Sequence, residues 1–268
     1  NVTEQRYGNL KVMVIPVLKD NYSYLLIDLS TKVTFAIDPG DVKYLVHILD
    51  KEDLRLQAVF STHHHSDHVS ANKSLYERDS HLRIYGGDSR IPYLTDLVEH
   101  QTTFQVGRTI IECISTPCHT RGHMSYYIRP QRRGLSSVPG FVFTGDSLFV
   151  GGCGKFYEGK SDAMKDTFDR LAHLPPTTLV YCGHEYTIAN LKFAQKVEPG
   201  NENIAQKLEW ALMKKEKNEP TVPSTIDDEK KTNPFMRVNL AEVQKYTKSE
   251  DSTTSIKFLR RKNRGFRI

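Results

Sequence analysis

The sequence predicts an α/β fold, with strands through the first two thirds of the chain and helices through the last third. Three observations carry this. Short apolar, β-branched runs recur between turn-forming residues from Lys11 onward. Amphipathic segments, apolar at i, i+3, i+4 and i+7, are interleaved with them. After His184 the strand-like runs stop and helical periodicity takes over, with no internal repeat or low-complexity tract.

In order, KVMVIPV, SYLLID and VTFAID read as successive strands of a small sheet. DVKYLVHILD places Val42, Leu45, Val46 and Leu49 on one helical face, with Asp41 as its N-cap. LQAVFST is a buried strand running into THHHSDH, and a polar helix is expected from about Val69 to Arg78. LRIYG, TIIECIST, HMSYYIR and FVFTGD continue as strands, DAMKDTFDRLAHL as a helix, and TTLVYCGH as a strand ending on His184. TIANLKFAQKV, NENIAQKLEWALMKKEKN, AEVQKYTK and TTSIKFLRRKN are the closing helices. This sets an expected boundary between a unit over 1–185 and a helical unit over 186–268.

With 268 residues, 38% hydrophobic and 26% charged, the chain has the composition of a globular protein with a sizeable core. No run of 18 apolar residues suggests a membrane span. Cys113, Cys118, Cys153 and Cys182 form no CxxC pair, so neither a disulfide framework nor a cysteine-built zinc ribbon is expected. NVTEQRYGNL shows neither a basic segment nor an apolar h-region, and the expected setting is reducing: cytoplasm, with the mitochondrial matrix as alternative. The net charge of +5 is modest and gathers in IKFLRRKNRGFRI without a wider basic face, which argues against nucleic acid as a partner. A monomer is expected.

The chemistry lies where strands end. VFST runs into His63, His65, Asp67 and His68, VFTG into Asp146, LVYC into His184, and IECISTPC into His119. Loops at strand C-termini collect ligands because the scaffold holds them while their sequence varies. Taken alone, His119 or His184 reads as a hydrogen-bonded structural histidine, and the Asp of TGDS as a turn or cap. HxHxDH is different, because His63 and His65 point the same way while Asp67 and His68 turn toward them. His64 faces away and Ser66 is a spacer. His123 begins a strand, and His47, His81, His100 and His173 read as surface or capping residues. Five histidines and two aspartates exceed what one tetrahedral zinc needs, but they suit two divalent ions sharing a carboxylate. Such a pair makes its own nucleophile from water, and the chain has no GxSxG elbow.

With these segments in view, the sequence resembles the metallo-β-lactamase fold superfamily, and within it the glyoxalase II or hydroxyacylglutathione hydrolase family. THHHSDH, TPCHT, FTGDSLF, GCGKFYEG, YCGHEYT, NLKFA, VEPGN, PTVPST and NPFMR carry the likeness over nearly the whole chain. HxHxDH alone marks the superfamily, while GCGKFYEG with CGHEYT and the helical tail marks the thioesterase branch. The resemblance implies a four-layer αββα sandwich followed by a helical domain that helps to build the glutathione site. It implies that His63, His65 and His119 hold one metal, that Asp67, His68 and His184 hold the other, and that Asp146 bridges. The catalytic element would be a bridging hydroxide held by these ligands, with Asp67 and Asp146 among them. Zinc is the first expectation, iron or manganese the alternatives. Lys155, Tyr157, Tyr186, Arg260 and Asn263 would contact a glutathione thioester, S-D-lactoylglutathione first, cleaved to glutathione and D-lactate in the second step of methylglyoxal detoxification.

Two departures stand out. Where the family tail reads Arg-Arg-x-Lys, this chain has Arg260-Arg261-Lys262-Asn263, so Asn263 takes the lysine position. Ser66 stands where the family has an aromatic, and Ser70-Ala71 where it has Gly-Gly. Two alternatives follow from the same superfamily: a mono-iron glutathione persulfide dioxygenase, and a weakly catalytic binding or regulatory relative.

Overall fold

The computed structural model describes residues 2–106, 109–130 and 138–263. The end of the basic tail, 264–268, lies outside them. One sheet takes β1 (Thr3–Tyr7), β2 (Leu10–Val17), β3 (Asn21–Asp28), β4 (Val33–Ile37), β5 (Arg55–Ser61), β6 (Arg83–Gly86) and β7 (Asp96–Leu97), paired in that order. β1 to β4 are antiparallel hairpins, while β4 to β7 run parallel, a change that requires crossovers. Helix α1 (Val42–Lys51) makes the first crossover; α2 (Ser66–Val69) and α3 (Asn72–Arg78) lie in the second. Asp41 caps α1 as expected, its carboxylate accepting from the amide of Tyr44 at 3.2 Å.

The second sheet takes β8 (Thr103–Val106), β9 (Thr109–Ser115), β10 (Met124–Pro130) and β11 (Phe141–Gly145). After the small hairpin β12 (Leu148–Phe149) and β13 (Gly152–Cys153) it adds β14 (Leu179–Cys182) and β15 (Ser224–Thr225). Its order is β15-β14-β11-β10-β9-β8, and only β11 and β14 run parallel, joined through α4 (Ser161–Ala172). The last third is α5 (Thr187–Val197), α6 (Glu202–Glu216), α7 (Ile226–Thr232), α8 (Ala241–Thr247) and α9 (Ser252–Asn263).

The period of two along a strand makes the layers. On β2, Val12 and Val14 face the second sheet, while Met13 and Ile15 face the helices; Tyr24 and Leu26 alternate with Leu25 and Ile27 on β3 in the same way. Strands covered on both faces read as continuous apolar runs, which is why KVMVIPV shows no polar alternation. Between the sheets Phe35 and Phe60 meet Tyr126, Phe141, Phe143 and Tyr181. Outside the first sheet lie Leu45, Ile48 and Leu49 of α1 and Leu75 of α3; outside the second lie Met164, Phe168 and Leu171 of α4 with Ile256 and Leu259 of α9. This is an αββα sandwich with a C-terminal helical region. Each buried large side chain contributes roughly 1.5–3 kcal/mol, and Phe60→Ala would cost about 3–5 kcal/mol.

Three local expectations change. The helix expected from Val69 to Arg78 is two: α2 starts at Ser66, inside the histidine motif, and the chain is drawn off its axis where the amide of Ala71 donates to Pro39 O at 3.0 Å. TEQRY and TFQV, not counted as strands, form β1 and β8 at sheet edges, where polar residues are tolerated. IDDEKKT forms α7, its Thr225 cap accepting from the amide of Asp228 at 2.9 Å.

Candidate active site

The seven residues singled out from strand ends come together at one edge of the sandwich. His63 and His65 follow β5, Asp67 and His68 sit on α2, His119 follows β9, Asp146 follows β11, and His184 follows β14. Two groups, His63–His65–His119 and Asp67–His68–His184, each keep their candidate ligand atoms within 4.8 Å of one another, and a third, His63–His68–Asp146, links them at the same spacing. His65 Nδ1 stands 3.0 Å from both His63 Nε2 and His119 Nε2. His68 Nε2 and His184 Nε2 are 3.3 Å apart, at 3.4 and 3.5 Å from Asp67 Oδ2. Asp146 lies between the groups: Oδ2 is 3.4 Å from His119 Nε2, while Oδ1 is 3.4 Å from His68 Nε2 and 3.3 Å from His184 Nε2.

The outer nitrogens explain the aim of the inner ones. A carbonyl oxygen only accepts, so His119 Nδ1 donates to Lys155 O at 2.9 Å, and Nε2 is left with its lone pair toward His65. The Thr62 hydroxyl donates to Asp38 Oδ2 at 2.7 Å and therefore accepts from His63 Nδ1 at 3.0 Å. His68 Nδ1 donates to Asp38 Oδ2, and His184 Nδ1 to Asp20 Oδ1, both at 2.9 Å. Asn21 Nδ2 holds Asp67 Oδ2 at 2.8 Å.

Electrostatics divides the histidines. Burial pushes His63, His65 and His119 below the usual imidazole range, so they are neutral, as ligands must be. For His68 and His184 burial acts the same way but is outweighed, because each lies between two carboxylates, Asp146 with Asp38 or Asp20. Burial likewise opposes the charge on Asp146, yet His184 and His68 hold its carboxyl well below the ordinary range. Asp146 Oδ1 is nonetheless buried without a hydrogen-bond donor. A buried carboxylate oxygen left without a donor is costly unless a cation satisfies it, and it sits among nitrogen and oxygen atoms of the kind that hold divalent ions, so the donor set fits metal ions. A methyl group at Gly183 would lie 2.5 Å from Asp146 Oδ1, so only glycine lets β14 end this close.

Sequence reasoning missed several supports. His123, set aside as a strand start, is fully buried; its Nε2 accepts from the amide of Asp146 at 3.1 Å, and its ring stacks on His63 with centroids 5.0 Å apart. The GH of CHTRGH was the available signal. Asp38 ends a strand as Asp146 does, so the same rule would have found it, whereas Asp20 in a hairpin turn carried no signal. His64 does face away, its Nδ1 3.5 Å from Asp88. His47, His81, His100 and His173 are exposed.

The five residues expected to contact substrate line a cavity of about 870 Å³ together with His65, Asp67, His119, Asp146 and His184. Tyr157 is 58% exposed, its ring 5.7 Å from that of His65 and 5.1 Å from that of His119, and Lys155 Nζ stands 5.6 Å from the Tyr157 ring centre. Tyr186 stacks on His184 at 4.8 Å, and burial raises its phenol, which keeps its proton and donates to Asp20 Oδ1 at 3.3 Å. Arg260 Nη1 donates to Cys153 O at 2.9 Å, and Asn263, the last residue of α9, is buried against the cavity. Arg90 grips the loop beside Tyr157, donating to both oxygens of Glu158 at 2.5 and 2.7 Å.

Residues 20–184 match the sequence model of the metallo-beta-lactamase superfamily, and residues 185–265 match that of the hydroxyacylglutathione hydrolase C-terminus. A hydroxyacylglutathione hydrolase-like protein of Gallus gallus is 44% identical over 96% of this chain and 91% of its own. A cytoplasmic hydroxyacylglutathione hydrolase of Arabidopsis thaliana is 43% identical over 88% and 91%. Among solved structures, ETHE1 from Myxococcus xanthus superposes with a TM-score of 0.60 at 26% identity, over 88% of this chain and 84% of that one. A metallo-beta-lactamase from Staphylococcus aureus gives 0.66 at 20% identity over 95% and 67%, a likeness of fold.

Proposed function

Because the chain belongs to the hydroxyacylglutathione hydrolase family of the metallo-beta-lactamase superfamily, we propose that it hydrolyses S-(2-hydroxyacyl)glutathione, S-D-lactoylglutathione above all, to glutathione and the 2-hydroxy acid. The observation that carries this is the placement of Asp146 between two ligand groups in the same cavity as Lys155, Tyr186 and Arg260. His63, His65 and His119 would hold one divalent ion, Asp67, His68 and His184 a second, with Asp146 shared. Zinc suits this nitrogen and oxygen set, and so do iron and manganese. When bound, the ions supply Lewis acidity toward the thioester carbonyl and make water acidic enough to attack at neutral pH.

The chain's own residues do the rest. Glutathione is anionic, and toward it Lys155 and Arg260 offer cations, Tyr157 and Tyr186 phenolic hydroxyls, and Asn263 an amide. Asp38, Thr62, Asp20 and the Lys155 carbonyl keep the imidazoles in one tautomer and one orientation, so little reorganisation remains when substrate arrives. In this reading 1–185 is the catalytic unit and 186–268 the helical substrate unit, working as a monomer. The Arabidopsis relative's name supports a cytoplasmic setting, and no described helix is long and apolar enough to cross a membrane.

The test is metal content per chain together with loss of thioester absorbance on S-D-lactoylglutathione. Two metals and turnover are expected, and chelation should abolish turnover until divalent ions are restored. Fewer than two metals with oxygen uptake on glutathione persulfide would point to the mono-iron dioxygenase. Two metals without turnover would point to a binding protein.

A further inference from the structure

One cation of the cavity has no part in the reaction as described. Lys19 lines it beside Asp67, His184 and Tyr186, exposed in the turn between β2 and β3. Among the described residues its ammonium has no hydrogen-bond or ion-pair partner. The nearby acids are engaged elsewhere. Asp20 Oδ1 accepts from His184 and Tyr186, and Glu185 accepts from Tyr22, from the amide of Thr221 at 2.9 Å and from its hydroxyl at 2.6 Å.

The turn is nonetheless pinned to the site. The amide of Glu185 donates to Asp20 O at 2.8 Å, the amide of Tyr22 to Gly183 O at 2.9 Å, and Asn21 bridges to His184 in the manner of a strand. The backbone of Lys19 is therefore held at the His184 end while its side chain stays free. The other cations stand at the opposite end. Lys155 shares a backbone segment with Tyr157, against His65 and His119, and Arg260 is tied to Cys153 two residues before it. A thioester placed between the two ligand groups extends toward both ends, and an unpaired ammonium whose neighbouring carboxylates already accept from other donors is a receiver for negative charge.

We propose that Lys19 is a specificity residue that receives a substrate carboxylate at the His184 end of the cavity. The proposal rests on the thioesterase reading. The carboxylate belongs either to the γ-glutamyl end of the thiol carrier or to an acidic acyl group, and these share one chemistry.

The experiment measures KM and kcat of the metal-loaded wild type, Lys19→Ala and Lys19→Arg on three thioesters. These are S-D-lactoylglutathione, S-D-lactoyl-cysteinylglycine, which lacks the γ-glutamyl group, and S-succinylglutathione, whose acyl group adds a carboxylate. Lys19→Ala should raise KM about five- to tenfold at nearly unchanged kcat wherever the recognised carboxylate is present, the effect should shrink in high salt, and Lys19→Arg should restore KM. A loss on both glutathione thioesters that vanishes on the cysteinylglycine thioester assigns the γ-glutamyl carboxylate. A loss confined to the succinyl substrate assigns the acyl group. Equal KM for Lys19→Ala and wild type on all three overturns the proposal while leaving the thioesterase reading intact. A metal-loaded wild type that turns over none of them overturns both.

Discussion

The backbone carbonyl of Lys155 accepts from Nδ1 of His119 at 2.9 Å, so a residue that lines the cavity also sets the aim of an imidazole in the candidate metal cluster. The segment that lines the cavity with Lys155 and the segment that presents His119 are thus joined through one piece of backbone. Its neighbour Gly154 sits where a Cβ would lie 2.0 Å from Asp146 O and 3.0 Å from His119 Nδ1. Gly154→Ala must therefore move the Lys155 carbonyl or Asp146. Metal content should fall well below that of wild type, and a variant that retains full metal content would contradict this coupling.

Asp20→Asn removes the charge that orients His184 without removing a ligand. Loss of such a support weakens metal binding about 10- to 100-fold. Competition with a chromophoric chelator should show one weakened site and one of wild-type affinity, since Asp20 touches only the Asp67–His68–His184 group.

The Arg90 guanidinium beside Glu158 holds its carboxyl down to about 2, against an ordinary value of 4.5. A depressed carboxylate contributes stability that is full above about pH 4.5 and is lost as pH falls toward about 2. Arg90→Gln should lower the melting temperature at neutral pH, and its difference from wild type should close across that window. A difference independent of pH would show that the pair does not act through charge. The pair lies at the surface, with Arg90 39% and Glu158 22% exposed, so salt should also narrow the difference.

Glu229 is buried in α7 and accepts from the Ser224 hydroxyl at 2.6 Å, the amide of Gly151 at 2.9 Å and Asn233 Nδ2 at 3.0 Å. Asn233 in turn donates to Gly152 O at 3.0 Å, so both residues clamp the β12–β13 hairpin that leads to Lys155. Glu229→Ala leaves several buried donors unpaired and should cost about 2–4 kcal/mol in urea unfolding. Glu229→Gln keeps the acceptor and should recover most of it; equal losses would show that packing volume, not hydrogen bonding, matters here.

Asn263→Lys adds a cation to the buried end of α9 facing the cavity. If thiol-carrier binding is what the asparagine limits, KM for S-D-lactoylglutathione falls while kcat stays nearly unchanged. A parallel drop in both would place the lysine in the wrong register.

Much of the candidate site was legible because its side chains obey one local rule: they follow buried strands. His63, His119, Asp146 and His184 each stand one to four residues beyond a strand end, and apolar runs make strand ends visible. What stayed hidden obeys no local rule. Asp20 lies in a hairpin turn 164 positions from the histidine it orients, and the Lys155 carbonyl belongs to a backbone whose residue name says nothing about it. β1 and β8 escaped for a related reason: their polarity reflects an edge position that only pairing defines, while α7 is a short, highly charged helix whose Glu229 is buried by distant partners.

The sequence by itself determined the layered α/β plan, the family and the set of side chains that gather as candidate metal ligands, since periodicity, motif and residue type are properties of short segments. Only the tertiary structure decided which nitrogen of each imidazole points inward, that the two oxygens of Asp146 face different groups, and that Lys19 stands unpaired opposite Lys155 and Arg260. Those depend on distances between chain segments far apart in sequence, set when two sheets close on a shared aromatic core.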